Sequence, residues 1–433
     1  ASVASSPPTL SWTKAYGAAS YEYCVDTSDD GLCTGWVDAG TATRANPSCL
    51  ASNTTYYWQV RAINAKGTRY ADKAAGAFRS FTTGPWPPTP CGDEAQISTP
   101  PLYGHYIEET PMTAWDPETG AYLVVWRSHR AGSAEDTDIF GRFWGTDGLP
   151  GGAVFPIITD TRDEYQQALT WNETDGEFLI VWADDRKALS RNYDLFGQRL
   201  DGEGKPRGHE FRISGEEAKS NETQAQVACN PAAGEYLAVW TDGRAFPLSG
   251  NDIYGRLIGA DGVMAAEDFR ITSSAKSETT PALAWNETAG EYLLVWSDNR
   301  GPDNRGADIY GLRLAGDGTP IGAEFRICGP DAKKDDLNPA VQWNGTANQY
   351  LVTWQDRRER VARGYDIYGR VLQADGTPLG DDFRISGSGA TKDDLNPVAV
   401  WNATTGQYLV VWEDRRRLST RGWDIYGRAV GGD

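Results

Sequence analysis

Past residue 93, apolar and polar positions alternate in short runs separated by turn residues. One stretch shows the pattern: Pro-Ala-Val-Gln-Trp (339–343), Gln-Tyr-Leu-Val-Thr-Trp (349–354), Asp-Ile-Tyr-Gly-Arg-Val-Leu (366–372) and Phe-Arg-Ile-Ser (383–386). The runs are rich in β-branched and aromatic residues and have strand length. Trp-Asn-x-Thr-x-Gly separates the first two runs and Asp-Gly-x-Pro-x-Gly the last two, both with turn chemistry. The stretch predicts a four-stranded antiparallel sheet.

The pattern repeats. Its second strand ends at Trp126, Trp182, Trp240, Trp296, Trp354 and Trp412, spaced by 56, 58, 56, 58 and 58 residues. Eleven residues earlier stands Trp115, Trp171, Trp285, Trp343 or Trp401, with Cys229 in the third unit. Four strands in a unit of this length predict a β-propeller. The sixth unit stops after its third strand, while Ala95-Gln96-Ile97-Ser98 resembles the Phe-Arg-Ile-Ser strand. Residues 93–99 are therefore expected to pair with the strand at 424–430, removing an open edge and closing a six-bladed propeller over 93–433. The chain resembles extracellular propellers of bacterial and archaeal type.

Residues 1–84 lack the repeat. Pro8-Thr9-Leu10-Ser11-Trp12, Tyr21-Glu22-Tyr23-Cys24-Val25-Asp26, the stretch from Leu50 to Ala62 and Phe78–Thr82 resemble strands of fibronectin type III domains. The resemblance implies a β-sandwich over 1–84. Its usual first strand would precede Pro8, so either a longer protein or an open edge able to accept a neighbour's strand is expected. Cys24 and Cys33 flank a short loop and form the expected disulfide; Cys49 and Cys91 are candidates for a second. Four cysteines without metal-site spacing point to an oxidising, extracellular or cell-surface setting. Residues 85–92 form a stiff Pro-rich linker. The fold class is thus all-β: a fibronectin type III-like sandwich plus a six-bladed propeller.

Polar positions repeat as well. Glu108, Glu164, Glu222, Glu278, Asp336 and Asp394 precede the first strands. Asp184, Asp242, Asp298, Asp356 and Asp414 follow the second-strand Trp by two residues, with Ser128 in the first unit. Arg130, Arg186, Arg244, Arg300, Arg358 and Arg416 follow it by four, and Asp138, Asp194, Asp252, Asp308, Asp366 and Asp424 by twelve. Two close carboxylates repel unless a cation lies between them. An Asp–Arg–Asp clasp, with the Arg forked between the two Asp, is the expected arrangement. The alternative is cation capture by the Asp at Trp+2, with Ca²⁺ as the candidate ion. The Gly of the third-strand Tyr/Phe-Gly pair is expected to admit a neighbouring Trp.

Ser128-His129 invites a nucleophile reading, but strand neighbours point to opposite sides. Tyr193, Tyr365 and Trp423 are candidates for stacking on sugar rings. Six Asn-x-Thr sequons, four of them in the Trp-Asn-x-Thr turn, are explained by turn chemistry.

Composition narrows the partners. Sixty acids against 41 bases give a net charge of −19, which argues against nucleic acid and anionic membranes. No apolar run has the length of a membrane span. Equal loop lengths after the second strands lead to the expectation of a non-enzymatic structural or adhesive surface protein, joined to copies of itself or to other surface proteins. Carbohydrate binding is the alternative, and a glycoside hydrolase or lyase the second alternative.

Overall fold

The computed structural model describes the chain except residues 1–2, 5–8, 29–31, 33–34, 46, 48–54, 72–77, 84–105, 131–136, 146–149, 160–163, 187–192, 216–219, 245–249, 302–305, 331–333, 359–363, 388–391, 404–406, 415–423 and 432–433. The fold is all-β, and its contacts divide it into two units, one centred on residues 1–94 and one on 95–428.

The first unit contains β1 (Val3–Ala4), β2 (Leu10–Ser11), β3 (Ser20–Asp26), β4 (Val37–Gly40), β5 (Arg44–Ala45), β6 (Thr55–Asn64), β7 (Gly67–Tyr70) and β8 (Arg79–Thr83). One sheet runs β1-β8-β6-β3-β4, with β7 also on β6; β2 and β5 pair separately. Leu10, Tyr56 and Phe81 form the core, flanked by Trp12, Tyr23, Val25 and Trp58. β1 lies parallel to β8, pairing Val3 with Thr82 and Ala4 with Thr83, so a short strand does precede Pro8.

The second unit is a series of antiparallel sheets. The first holds β9 (Tyr106–Trp115), β10 (Tyr122–Arg130), β11 (Asp138–Trp144) and β12 (Pro150–Ile158). The second holds β13 (Glu164–Asn172), β14 (Glu177–Asp184), β15 (Asp194–Asp201) and β16 (Pro206–Arg212). The third holds β17 (Glu222–Asn230), β18 (Glu235–Asp242), β19 (Asp252–Gly259) and β20 (Phe269–Arg270). The fourth holds β21 (Glu278–Asn286), β22 (Glu291–Asp298), β23 (Asp308–Ala315) and β24 (Pro320–Arg326). The fifth holds β25 (Asp336–Asn344), β26 (Gln349–Asp356), β27 (Asp366–Gln373) and β28 (Pro378–Arg384). The last, three-stranded among the described residues, holds β29 (Asp394–Asn402), β30 (Gln407–Asp414) and β31 (Asp424–Gly431).

The core lies between sheets. Leu179 and Val181 of β14 share one cluster with Tyr236, Ala238 and Trp240 of β18. Leu293 and Val295 of β22 likewise meet Tyr350, Val352 and Trp354 of β26. Trp182, Trp240, Trp296 and Trp354 are wholly buried, so the Trp register of the sequence is inter-sheet packing. First strands also meet first strands of neighbouring sheets, as β13 does β17 and β21 does β25.

The third-strand glycines differ from expectation in what approaches them. A Cβ on Gly255 would meet Ile271 Cδ1 at 2.8 Å, and one on Gly311 would meet Ile327 Cδ1 at 2.9 Å and Phe325 at 3.1 Å. The residues admitted are the Phe and Ile of the fourth run, which fold over the third strand, and not a Trp.

Candidate functional site

Acids meet in rows at one end of the sheets. The register sets Glu222 opposite Asp242, and Asp242 opposite Asp252. Glu164–Asp184–Asp194, Glu278–Asp298–Asp308 and Asp336–Asp356–Asp366 repeat this row. In the first sheet Ser128 stands between Glu108 and Asp138. Side chains of the four complete rows are buried. Three sealed carboxylates side by side require cations or protons.

Arginines supply the cations, but not by the expected clasp. Arg244 donates from its backbone N to Asp242 Oδ1 at 2.8 Å and from Nη2 to Asp242 Oδ2 at 2.7 Å. Its second partner is Asp268, at 2.6 Å, rather than Asp252. Asp252 is instead held by Arg270 at 2.7 Å. The same exchange recurs: Arg186 joins Asp184 and Glu210, Arg300 joins Asp298 and Glu324, and Arg358 joins Asp356 and Asp382. Asp194, Asp308 and Asp366 take Arg212, Arg326 and Arg384 at 2.7, 2.7 and 2.5 Å. The cause is stacking: the Arg244 guanidinium lies 4.0 Å from the centre of the Tyr254 ring, and the arginine of the Phe-Arg-Ile run fills the gap at Asp252. The Arg130 side chain, those of Asp414 and Asp424, and Arg416 lie outside the described structure.

The Ca²⁺ reading fares similarly. Asp184, Asp242, Asp298 and Asp356 each accept from their own Trp Nε1 and from an arginine, so these donors stand where a cation would bind.

Protons supply the rest. Burial pushes Glu222 and Glu278 up to about 8, despite the neighbouring hydroxyls of Ser214 and Thr272. Burial also raises Asp336, and Asp356 across the ladder adds to the effect. Each of these rows therefore combines arginine-paired carboxylates with a first-strand acid whose pKa is raised, although Glu278 also accepts from Arg300 Nη2 at 2.8 Å.

First strands also wall a channel of about 500 Å³, lined by Leu169, Val227, Leu283, Val341 and Ala399 among others. Two residues beyond each first-strand acid, the backbone turns left-handed at Thr110, Gln166, Gln224, Thr280, Asn338 and Asn396, with φ between 48° and 58°. The ladder shifts register at these bulges, as between Thr223 and Gln226. A left-handed non-glycine residue costs on the order of 1 kcal/mol, and six similar ones mark a built feature. Their polar groups interlock. Gln166 Oε1 accepts the backbone N–H of Gln224 at 2.7 Å, and Gln224 Oε1 accepts that of Thr280 at 3.0 Å. Asn338 Nδ2 donates to Asn396 Oδ1 at 2.7 Å, and Gln355 Oε1 accepts the N–H of Asn396 at 3.1 Å. The result is a rim of amides and hydroxyls on the strands that wall the channel, with an acid two residues away on each strand. Pattern reading missed the rim; the available signal was a polar residue at acid+2, followed by Pro111, Pro281, Pro339 or Pro397 in four units.

The aromatic candidates lie elsewhere. Tyr193 is half-buried edge-on against Tyr165 with ring centres 5.1 Å apart, and Tyr365 lies beneath Arg357 at 5.4 Å. Both are engaged in local packing, and Trp423 lies outside the described residues. Cys24 is disulfide-bonded. Cys33, Cys49 and Cys91, the partners the sequence offered, also lie outside them. Asn172, Asn286 and Asn344 of the sequons are buried, and Asn172 and Asn344 accept backbone N–H groups of their own turns.

No protein-family model matches the sequence, and no curated protein matches it. Solved structures do. An α-L-arabinanase of Penicillium chrysogenum, complexed with arabinobiose, matches with a TM-score of 0.51 at 14% identity, over 74% of this chain and 92% of that one. An α-L-arabinofuranosidase of Fusarium graminearum with an iminosugar inhibitor matches with a TM-score of 0.50 at 12% identity, again over 74% and 92%. At such identities the likeness is one of fold, and it supports a β-propeller of repeated four-stranded sheets. It also overturns the expectation of a non-enzymatic structural or adhesive protein. That expectation rested on uniform loops, whereas the folds similar to this one belong to enzymes named for carbohydrate substrates.

Proposed function

We propose that the chain is a carbohydrate-acting propeller of the glycoside hydrolase class, with its sugar bound at the polar rim. The observation that carries this reading is the rim itself: Thr110, Gln166, Gln224, Thr280, Asn338 and Asn396 on the first strands, each two residues from a first-strand carboxylate and interlocked from sheet to sheet. Amides and hydroxyls in fixed positions suit hydroxyl-rich ligands. Glycoside hydrolysis needs one carboxyl neutral and another ionised. Glu222 and Glu278, raised by burial to about 8, have the character of proton donors. The arabinobiose-bound neighbour makes arabinosides the first substrates to test.

The test is release of reducing sugar from a panel of arabino-oligosaccharides and aryl glycosides. Turnover that falls about 100-fold or more in Glu222→Gln or Glu278→Gln, with an intact thermal transition, supports the reading. No turnover on any member of the panel rejects hydrolysis. A second reading, carbohydrate binding without turnover, is favoured by the full burial of the row acids. Saturable heat of binding that is lost in Gln224→Ala would identify it.

The finer architecture belongs to the same proposal. The sheet order β1-β8-β6-β3-β4 with a separate β2-β5 pair supports a fibronectin type III-like domain over 1–84, ahead of a linker at 85–92. A six-bladed propeller over 93–433, closed by 93–99, is consistent with the three strands that the last sheet has among the described residues. The disulfide at Cys24 supports an extracellular or cell-surface location.

A further inference from the structure

The boundary between the fourth and fifth sheets differs chemically from its counterparts. After the fourth run of the second, third and fifth units stand Ser214, Thr272 and Ser386, each buried, with a hydroxyl oxygen accepting the backbone N–H of Leu195, Ile253 or Ile367. At this boundary the residue is Cys328, and the acid opening the next sheet is Asp336 where the second and third boundaries have Glu222 and Glu278. Cys328 Sγ keeps the place of these hydroxyls beside the Ile309 backbone N–H and lies 3.4 Å from Asp308 Oδ1, as Ser386 Oγ lies 3.2 Å from Asp366 Oδ1, but it is a soft sulfur and a weak acceptor.

Three ligand atoms converge here. Cys328 Sγ, one carboxylate oxygen of Asp308 and one of Asp336 all lie within 4.8 Å of one another, and all three residues are buried. Asp336 supplies an independent sign. Its side chain is fully buried, yet neither carboxylate oxygen receives a hydrogen bond of ordinary geometry. The groups that act on it are the Cys328 thiol, the Asp356 carboxylate and, less strongly, the Arg358 guanidinium. Asp308 is hydrogen-bonded by Arg326 and Asp356 by Arg358, whereas Asp336 feels Arg358 only at a distance and has a weak donor and a like charge in its immediate surroundings.

We propose that Asp308, Cys328 and Asp336 form a buried site for a divalent transition metal of the zinc type. One thiolate with two carboxylates selects a borderline ion over Ca²⁺ or Mg²⁺, which take oxygen ligands. Asp356, opposite Asp336 in the ladder, is a further carboxylate beside the site. On binding, the proton of the Cys328 thiol and any proton on Asp336 pass to solvent, and the ion takes the place of those protons. No oxidation or reduction is involved. The ion would tie β23 and the segment after β24 to β25, joining two sheets. The site does not depend on the glycan reading.

The full chain, with its disulfide left oxidised, is refolded with Zn²⁺ or Co²⁺ and desalted. The expected result is about one tightly held metal per chain. The cobalt form should show a thiolate-to-metal absorption band and visible bands of a tetrahedral ion. Cys328→Ser, which installs the residue used at sister boundaries and so preserves folding, should abolish the band and the bound metal, as should Asp336→Asn. Cys229→Ala should retain both. A wild-type chain that holds no metal after desalting overturns the proposal, because Asp336 is then satisfied by a proton alone. Metal retained by Cys328→Ser overturns it equally.

Discussion

The backbone N–H of Gln224 donates to Oε1 of Gln166 at 2.7 Å, linking the first strands of two neighbouring sheets beside the channel. Gln224 passes the link on, because its own Oε1 accepts both the N–H of Thr280 at 3.0 Å and the hydroxyl of Thr241 at 2.8 Å. Gln224→Ala removes that acceptor and should cost about 1–2 kcal/mol in urea unfolding. Gln224→Gly loses the same bonds but accepts the left-handed backbone without steric cost, which offsets about 1 kcal/mol. The expected order of stability is wild type, then Gly, then Ala. A glycine variant less stable than the alanine variant would show that the left-handed turn is unstrained.

Arg244 anchors two carboxylates that have almost no access to water, Asp242 fully buried and Asp268 nearly so. Its removal leaves both uncompensated. Arg244→Ala should destabilise the protein by about 3 kcal/mol or more. Arg244→Lys keeps the charge but loses the fork and the stacking on Tyr254, so it should fall between the two. Thermal midpoints of the three proteins check the order; a lysine variant equal to wild type would mean that charge alone suffices.

These arginines mark the limit of what the sequence could tell. The repeat exposed the strands, the buried Trp register and the meeting of Asp242 with Asp252, because strand alternation and spacing are one-dimensional signals. It misassigned the second partner of Arg244, because Asp268 lies 24 residues away and is brought near only when the fourth run folds over the third strand. Arg270 stood in the Phe-Arg-Ile run but carried no mark of the carboxylate it would meet. The rim at Gln166, Gln224 and Thr280 was hidden for a different reason. A left-handed bulge at a glycine is readable; at a glutamine or threonine it has no sequence signature. Cys229, by contrast, was legible as a packing residue, because it takes the place of a Trp in a known register and is buried there.

Stability should also depend on the protonation of Glu222 and Glu278. Burial holds both near 8, far above the ordinary value of about 4.3 for an unfolded chain. The folded state therefore binds these protons more tightly than the unfolded state. The resulting stabilisation is fully present below about pH 4.3 and is lost as pH rises through about 8. The double variant Glu222→Gln/Glu278→Gln should gain in thermal midpoint relative to wild type on passing from pH ~5 to pH ~9. A difference that stays constant over that range would show that the two acids titrate at ordinary values.

Turn glycines separate backbone strain from packing. Gly290 has φ +68° with nothing near its missing Cβ, whereas Gly318 has φ +81° and a Cβ there would lie 2.5 Å from Phe269 Cζ of the preceding sheet. Gly290→Ala should cost about 1 kcal/mol for backbone strain alone. Gly318→Ala adds an inter-sheet clash and should cost clearly more. Equal losses would mean that Phe269 moves aside freely and that the turn does not brace its neighbour.

The last and first sheets present matching apolar positions that the interior boundaries bury. Leu179, Leu237, Leu293 and Leu351 are fully buried, but Leu409, their counterpart in the last sheet, is 42% exposed. Phe178, Tyr236, Tyr292, Tyr350 and Tyr408 are likewise buried, but Tyr122 in the first sheet is 42% exposed. At interior boundaries these two registers share one core, Leu179 with Tyr236 and Leu237 with Tyr292. Leu409 and Tyr122 occupy the two registers that share a core at the interior boundaries, and burying such side chains is worth about 1.5–3 kcal/mol each. Closure of the ring should bring them together, with residues 93–99, outside the described structure, supplying the fourth strand on β31. Tyr122→Cys with Leu409→Cys should then form an intramolecular cross-link on mild oxidation. Deletion of 93–99 should lower the thermal midpoint by more than about 5 °C and reduce cross-linking. A deletion variant with an unchanged midpoint, or a cross-link found only between molecules, would exclude closure by this route.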